Sequence, residues 1–122
     1  MDIKGHGIDI VEIERFAELC KNQRYVQRCF TANEQAQSRA HPERLAARFA
    51  AKEAVLKALH LGIVDGVSLK DVEVRFSRDG APQVGLYGVV AQTAKNNGIT
   101  QWHISFSHGH SFAIASAIGC GP

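Results

Sequence analysis

The sequence predicts an α+β fold, in which helices come first and antiparallel hairpins follow. The most strongly helical pattern, from Pro42 to about Leu61, lies in the first half of the chain, and the alternating strand patterns lie mainly in the second half. A chain of 122 residues holds one hydrophobic core. We therefore expect a single domain over residues 1–122, with an antiparallel sheet packed against one long helix and shorter helices.

Local signals place the elements of the first half. Ile3 to Val11 alternates as an opening strand, and Glu12 to about Asn22 carries apolar residues at helical spacing. A hydroxyl at Thr31 and a carboxylate three residues later fit a capping box that begins a short helix. The long helix begins at Pro42, and Gly62 is its predicted left-handed stop.

The second half is predicted to contain two hairpins separated by a helix. A strand at Val72–Phe76 is followed by an Asp79-Gly80 turn and a returning strand from Gln83 to about Leu86. The remaining predicted elements are a helix at 89–97 and strands at 102–107 and 112–118. Because a turn is expected at Gly109, His108 and His110 are not predicted to chelate zinc.

Composition excludes several classes of protein. Fourteen basic residues nearly cancel 12 acidic ones, and 45% of the residues are hydrophobic, so the chain is not disordered. No apolar run approaches the ~20 residues of a membrane span, and no signal-peptide pattern is present, so we expect a cytoplasmic protein. Three widely spaced cysteines predict reduced thiols rather than a disulfide framework.

Asp9 is the first candidate functional residue. It lies in an otherwise apolar strand, where an acid is disfavoured. Gly5 and Gly7 share its face, which leaves that side open to a close approach. Two interpretations remain open: Asp9 caps the helix that follows, or its carboxylate binds a ligand.

Glu53 is the second candidate. On a helical wheel it lies about 40° beyond the apolar arc of the long helix, with Lys57 one turn further on. Glu53 and Lys57 form either an ordinary surface pair or part of a site. With Asp9, Glu53 would suit one Mg²⁺, which takes one or two protein carboxylates and completes its shell with water and phosphate oxygens. Arg48, Lys52 and Lys57 would then supply positive charge for phosphates.

Four sequence blocks, at residues 7–11, 30–34, 48–58 and 103–108, resemble the signature blocks of a known family. They read Gly-Ile-Asp-Ile-Val, Phe-Thr-x-x-Glu, Arg-Phe-Ala-Ala-Lys-Glu-Ala-x-x-Lys-Ala and His-Ile-Ser-Phe-Ser-His. Their order and content are similar to those of the holo-acyl-carrier-protein synthases, the small 4′-phosphopantetheinyl transferases. The resemblance spans nearly the whole chain, and the block at 48–58 is its most specific part.

The resemblance implies a role for each matching residue. Asp9 and Glu53 would bind Mg²⁺, and Lys57 would contact the phosphates of coenzyme A, the co-substrate. Residues at the adenosine and 3′-phosphate end would be Arg48, Phe49, Gly80, Pro82, Ser107 and His108. The implied reaction, in fatty acid biosynthesis, moves 4′-phosphopantetheine to a serine of apo-acyl carrier protein and releases 3′,5′-ADP. Glu53 and Lys57 would be its catalytic residues.

The acidic carrier protein would dock on a basic, partly apolar surface. The predicted docking residues are Arg15, Phe16, Leu19, Arg24 and Arg28. Because glutamates at 12, 14 and 18 lie among them, a solvated helix face remains an equal alternative. A domain this small has little concave surface for coenzyme A, and larger relatives pair two copies of the fold. We therefore expect a homotrimer with sites between subunits.

Two other functions remain as alternatives. The first is a non-catalytic nucleotide- or nucleic-acid-binding domain that uses the same cations. With 7% aromatic residues and acids mixed among the bases, no basic and aromatic platform for nucleic acid is visible. The second is a metal-dependent phosphohydrolase, for which two carboxylates are few. Neither a nucleic acid nor a membrane is expected as a partner.

Overall fold

The computed structural model describes residues 1–39 and 41–122, and within them it shows two antiparallel sheets. The larger sheet has three strands in the order β1-β5-β4, and the smaller is a hairpin of β2 and β3. The strands are β1 (Asp2–Glu12), β2 (Val72–Phe76), β3 (Pro82–Leu86), β4 (Gln101–His108) and β5 (Phe112–Gly121). The predicted α+β class is confirmed.

The helices come mostly before the hairpins, as predicted. They are α1 (Ile13–Leu19), α2 (Gln23–Cys29), α3 (Ala32–Ser38), α4 (Pro42–Ala58) and α5 (Gly88–Asn96), with short 3₁₀ turns at Ile63–Asp65 and Leu69–Asp71. The capping box predicted at Thr31 is present, because its hydroxyl accepts from Glu34 N and the Glu34 carboxylate accepts from Thr31 N. Among the residues described, no helix has the length and apolar character that a membrane span requires.

The region between residues 12 and 29 differs from the prediction. One helix was expected from Glu12 to about Asn22, but α1 already ends at Leu19, and α2, which was not predicted, begins at Gln23. Asn22 is the reason, since its side chain accepts hydrogen bonds from Arg24 N at 3.0 Å and Tyr25 N at 3.3 Å. It therefore begins a new helix instead of ending the first one.

Helix α4 lies directly against β1 because two glycines allow it. A Cβ atom on Gly7 would lie 1.9 Å from the carbonyl oxygen of Ala54, and one on Gly5 would lie 2.6 Å from that of Ala58. The open face predicted beside Asp9 is therefore filled by the backbone of α4. This close approach places the Glu53–Lys57 turn of the helix next to Asp9.

The apolar face of α4 is wider than the apolar arc predicted for the long helix. The helix is buried on several sides because it packs against both the large sheet and the helices before it. Its alanines make these contacts at 0–1% exposure: Ala46, Ala47, Ala50, Ala51 and Ala54. Small side chains let the backbone of α4 approach its neighbours closely.

A fully buried ion pair joins α4 to α3 and to the small sheet. Lys52 Nζ lies 2.6 Å from Glu34 Oε1, and both side chains are 0% exposed. Lys52 also donates to the carbonyl oxygen of Leu69, at 3.0 Å. Glu34 accepts from the backbone N–H of Thr31 and, at 2.8 Å, from that of Val74. Each charge thus has several partners, as buried charges require.

The end of α4 also differs from the prediction. Gly62 was expected to supply the left-handed residue, but His60 has this conformation, with φ of 56°. The N–H of Leu61 then donates to the carbonyl oxygen of Leu56 at 2.9 Å, which closes the last turn. A histidine with a Cβ atom therefore occupies a position that favours glycine.

We predict that His60→Gly increases the free energy of unfolding by about 1 kcal/mol, because the strain of a left-handed L-residue exceeds the entropy that glycine loses on folding. Urea unfolding at fixed protein concentration measures the difference. His60→Ala is the matched control, since it removes the imidazole but keeps the strained Cβ. Equal stabilisation by both variants would assign the effect to the imidazole instead.

Candidate active site

Asp9 and Glu53 line one open cleft of about 380 Å³ between β1, α1, α2 and α4. The close packing of α4 on β1 brings them together, although they are 44 positions apart in the sequence. The cleft also has a basic and apolar wall, formed by Arg15, Phe16, Leu19, Tyr25 and Phe49. Two carboxylates beside such a wall suit a site that binds a cation together with a second, larger ligand.

The side chain of Asp9 binds Lys57. Lys57 Nζ donates to Asp9 Oδ1 at 2.9 Å and to the carbonyl oxygen of Ile8 at 3.1 Å. The N-cap residue of α1 is Glu12, which leaves Asp9 outside the cap. The interpretation of Asp9 as a helix cap is therefore wrong, and so is that of Glu53 and Lys57 as an isolated surface pair, because Lys57 reaches across to β1.

Glu53 is in an environment that disfavours its charge. Burial raises the pKa of the Glu53 carboxyl, the negative charge of Asp9 raises it further, and Lys57 partly offsets both effects. A cation between the two carboxylates would relieve this repulsion. Within the described chain no cluster of three or more His, Cys, Asp or Glu residues suits a metal. A pair of carboxylates is a donor set that Mg²⁺ accepts, because this ion also binds water and phosphate oxygens.

We predict that Glu53→Gln stabilises the metal-free protein at neutral pH. The pKa of Glu53 is higher in the folded than in the unfolded chain, so the parent loses stability as the pH rises through this interval. Glutamine does not ionise and avoids that loss. Thermal unfolding in EDTA should show the variant more stable at neutral pH, with the difference smallest below about pH 4, the ordinary pKa of glutamate.

Glu14→Gln, on an exposed part of α1, is the matched control for general effects of removing a carboxylate. Excess Mg²⁺ should make the parent more stable than Glu53→Gln, because the cation binds the parent more tightly and therefore stabilises it more. A Glu53→Gln protein that is less stable than the parent in EDTA at neutral pH would contradict the assignment of unfavourable charge to Glu53.

One of the three cations predicted to face phosphates lies elsewhere. The prediction for Lys52 is wrong, since its ammonium group is fully buried on Glu34. Arg48 is 6% exposed, and its guanidinium lies 5.0 Å from the ring centroid of Phe76. One of its nitrogens donates to the carbonyl oxygen of Arg44, while the buried Nε has no partner. Arg48 thus retains hydrogen-bonding capacity for a ligand.

Apart from Arg48 and Phe49 on α4, the predicted adenosine-side residues lie on two adjoining segments. Gly80 is in the β2–β3 turn with φ of 86°, and Pro82 begins β3. The Phe76 ring contacts Phe106 of β4 edge to face, with centroids 5.9 Å apart, which joins the hairpin to the large sheet. His108 ends β4, two residues after Phe106.

Sheet register separates Ser107 from His108. His108 pairs with Ala113, which pairs on its other side with Val11, so His108 shares the α4-facing side of the sheet with Asp9. Ser107 pairs with Ile114 and lies across from Ile10, on the outer face. The structure therefore brings His108 to the side of the carboxylates and leaves Ser107 on the opposite side.

The predicted docking residues form two groups. Arg15 and Leu19 are exposed and line the cleft, but the expectation of an exposed Phe16 is wrong, since it is 3% exposed and packs on Phe49. Arg24 and Arg28 line a separate basic depression with Lys70. Tyr25 lines the cleft but was not predicted as a site residue. Asn22 is the signal that could have placed Tyr25 in a helix, because it is a favourable N-cap residue.

Comparison with known proteins assigns the family. The family model of the 4′-phosphopantetheinyl transferase superfamily matches residues 5–117, a range that contains Asp9, Glu53, Lys57 and His108. This chain belongs to that superfamily. The resemblance noted in the sequence is thereby confirmed.

Individual members of the superfamily are similar to this chain in sequence and in structure. A holo-[acyl-carrier-protein] synthase of Frankia casuarinae is 42% identical over 119 residues, covering 97% of this chain and 98% of the relative. The holo-[acyl-carrier-protein] synthase of Helicobacter pylori, solved in complex with coenzyme A, superposes with a TM-score of 0.82 at 30% identity, covering 94% of this chain and 99% of its own. The Bacillus anthracis synthase, in complex with CoA (3′,5′-ADP), gives 0.80 at 32% identity, with 98% of each chain covered.

Proposed function

We propose that this protein transfers 4′-phosphopantetheine from coenzyme A to a serine of apo-acyl carrier protein, a step that serves fatty acid biosynthesis. The observation that carries the proposal is the convergence of Asp9, Glu53 and Lys57 at one cleft of a chain 42% identical to a holo-[acyl-carrier-protein] synthase. A cytosolic location is part of the proposal. It is supported by the three cysteines, which are free thiols.

In this proposal, Glu53 and Lys57 are the residues that take part in the transfer reaction. Glu53 accepts the proton of the serine hydroxyl, directly or through a water, because burial raises the pKa of its carboxyl towards that of an effective base. The serine oxygen bonds to the phosphorus next to pantetheine as the bond from that phosphorus to the 3′,5′-ADP oxygen breaks. Lys57 stabilises the charge that develops on the leaving phosphate. Mg²⁺, when held by Asp9 and Glu53, supplies positive charge to the pyrophosphate.

The rest of coenzyme A would lie along the adenosine-side residues. Arg48 offers a guanidinium whose Nε is buried and unpartnered, which supports a phosphate ligand there. Phe49 lines the cleft and offers an apolar surface. The other residues proposed for this side are Gly80, Pro82, Ser107 and His108.

The carrier protein would dock on the outer surface of α1 and α2. Arg15 and Leu19 line the same cleft as Glu53, so a partner bound there would bring its serine to the proposed base. Arg24 and Arg28 extend the basic surface along α2. Opposite charge on the carrier would guide its approach.

We also propose a homotrimer with shared sites. The outer face of the large sheet is apolar and exposed at Ile8, Ile10, Phe112 and Ile114, which is typical of an interaction surface. Ser107 lies on this same face, away from the Asp9 of its own chain. A neighbouring subunit packed there would bring such residues to a site between chains.

The trimer gives a testable expectation. Native mass spectrometry should show three chains, and Ile10→Asp should yield monomers because a carboxylate on the apolar face would be buried without a partner. Val64→Asp, at a valine that is 97% exposed, is the matched control and should leave the assembly intact. Refolding Glu53→Ala together with His108→Ala should restore part of the activity if sites form between chains. A monomeric parent would contradict the proposal.

The experiment for the function is a carrier-protein mass measurement. The chain is incubated with coenzyme A, Mg²⁺ and apo-acyl carrier protein, and the carrier should gain the mass of one phosphopantetheine as 3′,5′-ADP accumulates. Release of inorganic phosphate with an unchanged carrier would indicate a phosphohydrolase. No reaction, with coenzyme A still bound, would indicate the non-catalytic binding domain.

A further inference from the structure

Lys57 occupies the carboxylate that is proposed to hold the metal. Its ammonium donates to Asp9 Oδ1 at 2.9 Å and to the carbonyl oxygen of Ile8 at 3.1 Å. The Lys57 side chain is 54% exposed, whereas that of Asp9 is only 15% exposed. Lys57 therefore contacts Asp9 from the solvent side, and its own side chain is exposed to solvent. It can change partners without any movement of α4.

A divalent cation and this ammonium compete for Asp9. Both are positively charged, and placing them at one carboxylate oxygen brings like charges to contact distance, which is unfavourable even at a hydrated surface. Lys57 holds only the Oδ1 atom of Asp9, but a cation on the other carboxylate oxygen would still lie within a few ångströms of the ammonium. A cation that binds Asp9 and Glu53 therefore favours the departure of Lys57. In the free protein the displaced ammonium exchanges a carboxylate partner for water.

A phosphate changes that balance. A coenzyme phosphate at the cleft offers the displaced ammonium a new anionic partner, and Lys57 has a flexible stem with three donors. Moving Lys57 to the phosphate frees Asp9 for the cation. Two positions of one side chain thus connect the metal site and the coenzyme site.

We propose that Lys57 couples metal binding to coenzyme binding. It neutralises Asp9 in the free protein and moves from Asp9 to a coenzyme phosphate when the coenzyme binds. The metal therefore binds weakly alone and tightly with the coenzyme. This inference rests on the proposed function, because it takes coenzyme A as the ligand. Coupling between two sites is reciprocal, so the metal must strengthen coenzyme binding by the same factor.

Removing the ammonium gives an effect of opposite sign on the two ligands. In Lys57→Met no competitor holds Asp9, so the free variant should bind a divalent cation more tightly than the parent, by roughly tenfold. The same variant should bind coenzyme A more weakly and show a smaller gain in metal affinity when coenzyme A is present. A lysine that only stabilised the fold or only contacted phosphate would not tighten metal binding.

The experiment is a Mn²⁺ titration of the full chain, with bound and free Mn²⁺ distinguished by electron paramagnetic resonance. Parent, Lys57→Met and the control Lys95→Met are titrated with and without coenzyme A, and no carrier protein is added. Lys95 is an exposed lysine on α5, so its removal changes net charge equally but away from the cleft. A titration of coenzyme A alone corrects for its own binding of Mn²⁺.

Tighter Mn²⁺ binding in free Lys57→Met, with the control unchanged, supports the inference. Equal or weaker binding in the variant overturns it, as does an equal strengthening by coenzyme A in variant and parent. Lys57→Gln is measured in parallel, and circular dichroism verifies that each variant is folded. Because phosphopantetheine transfer by the parent is assayed separately, loss of the coupling and failure of the proposed function give different results.

Discussion

Asp9→Ala and Glu53→Ala are each expected to lower the rate of phosphopantetheine transfer by roughly 10³-fold or more. In the proposed site each residue holds the Mg²⁺ whose charge would stabilise the transferring phosphoryl group. The fold should survive both changes. Glu53 is destabilised by its burial and by Asp9, so its removal relieves repulsion. Asp9 loses a partly exposed pair with Lys57, which contributes little to stability.

The measurement is the initial rate of carrier-protein modification at saturating coenzyme A and Mg²⁺. Glu43→Ala is the matched control, because Glu43 lies on the same helix as Glu53, in its first turn and outside the cleft. Its rate should match that of the parent. Near-normal transfer by either Asp9→Ala or Glu53→Ala, in a protein with parental secondary structure, would remove that residue from the proposed metal site.

Most elements of the fold were predictable because their signals are local. A capping box, a proline in a first turn and alternating strands with a Gly turn each depend on a few neighbouring residues. Helix α2 was not predicted, since Asn22 was interpreted as the end of the first helix, whereas its side chain begins a new one. His60 likewise adopts a left-handed conformation because α4 closes there, two residues before Gly62.

The candidate site shows the same division between local and tertiary information. The unusual placement of acids at 9 and 53 was visible in the sequence, and the resemblance gave both a role. The actual partners of the lysines were not visible, because each partner comes from another element. Lys57 crosses to β1 to bind Asp9, and Lys52 binds Glu34 of α3, 18 residues earlier.

Consecutive residues of α4 thus have separate tasks. Lys52 points into the protein and fixes the helix to α3 and the small sheet, while Glu53 faces the cleft. On the side of β1, Gly7 lets the helix backbone approach within contact distance. These two contacts restrict rotation of α4 about its axis. The direction in which Glu53 points therefore depends on a residue that does not touch the cleft.

Lys52→Met is accordingly expected to reduce the free energy of unfolding by about 3–5 kcal/mol, because it leaves the Glu34 carboxylate buried without its counter-ion. Methionine retains the length of the side chain, so the loss reflects charge rather than a cavity. Urea unfolding, with parent and variant at one protein concentration, measures the difference. Lys21→Met is the matched control, since Lys21 pairs with Glu18 at the surface with 74% of its side chain exposed. It should change stability by less than about 0.5 kcal/mol.

A second variant separates the unpaired charge from a simple loss of packing. Lys52→Met with Glu34→Gln removes both charges, while the glutamine oxygen still accepts a hydrogen bond from the N–H of Thr31 or Val74. The double variant should therefore recover part of the stability lost in Lys52→Met, although one backbone N–H loses its acceptor. If the double variant is less stable than Lys52→Met alone, burial of an uncompensated charge is not the cause, and the pair contributes mainly through the hydrogen bonds of Glu34.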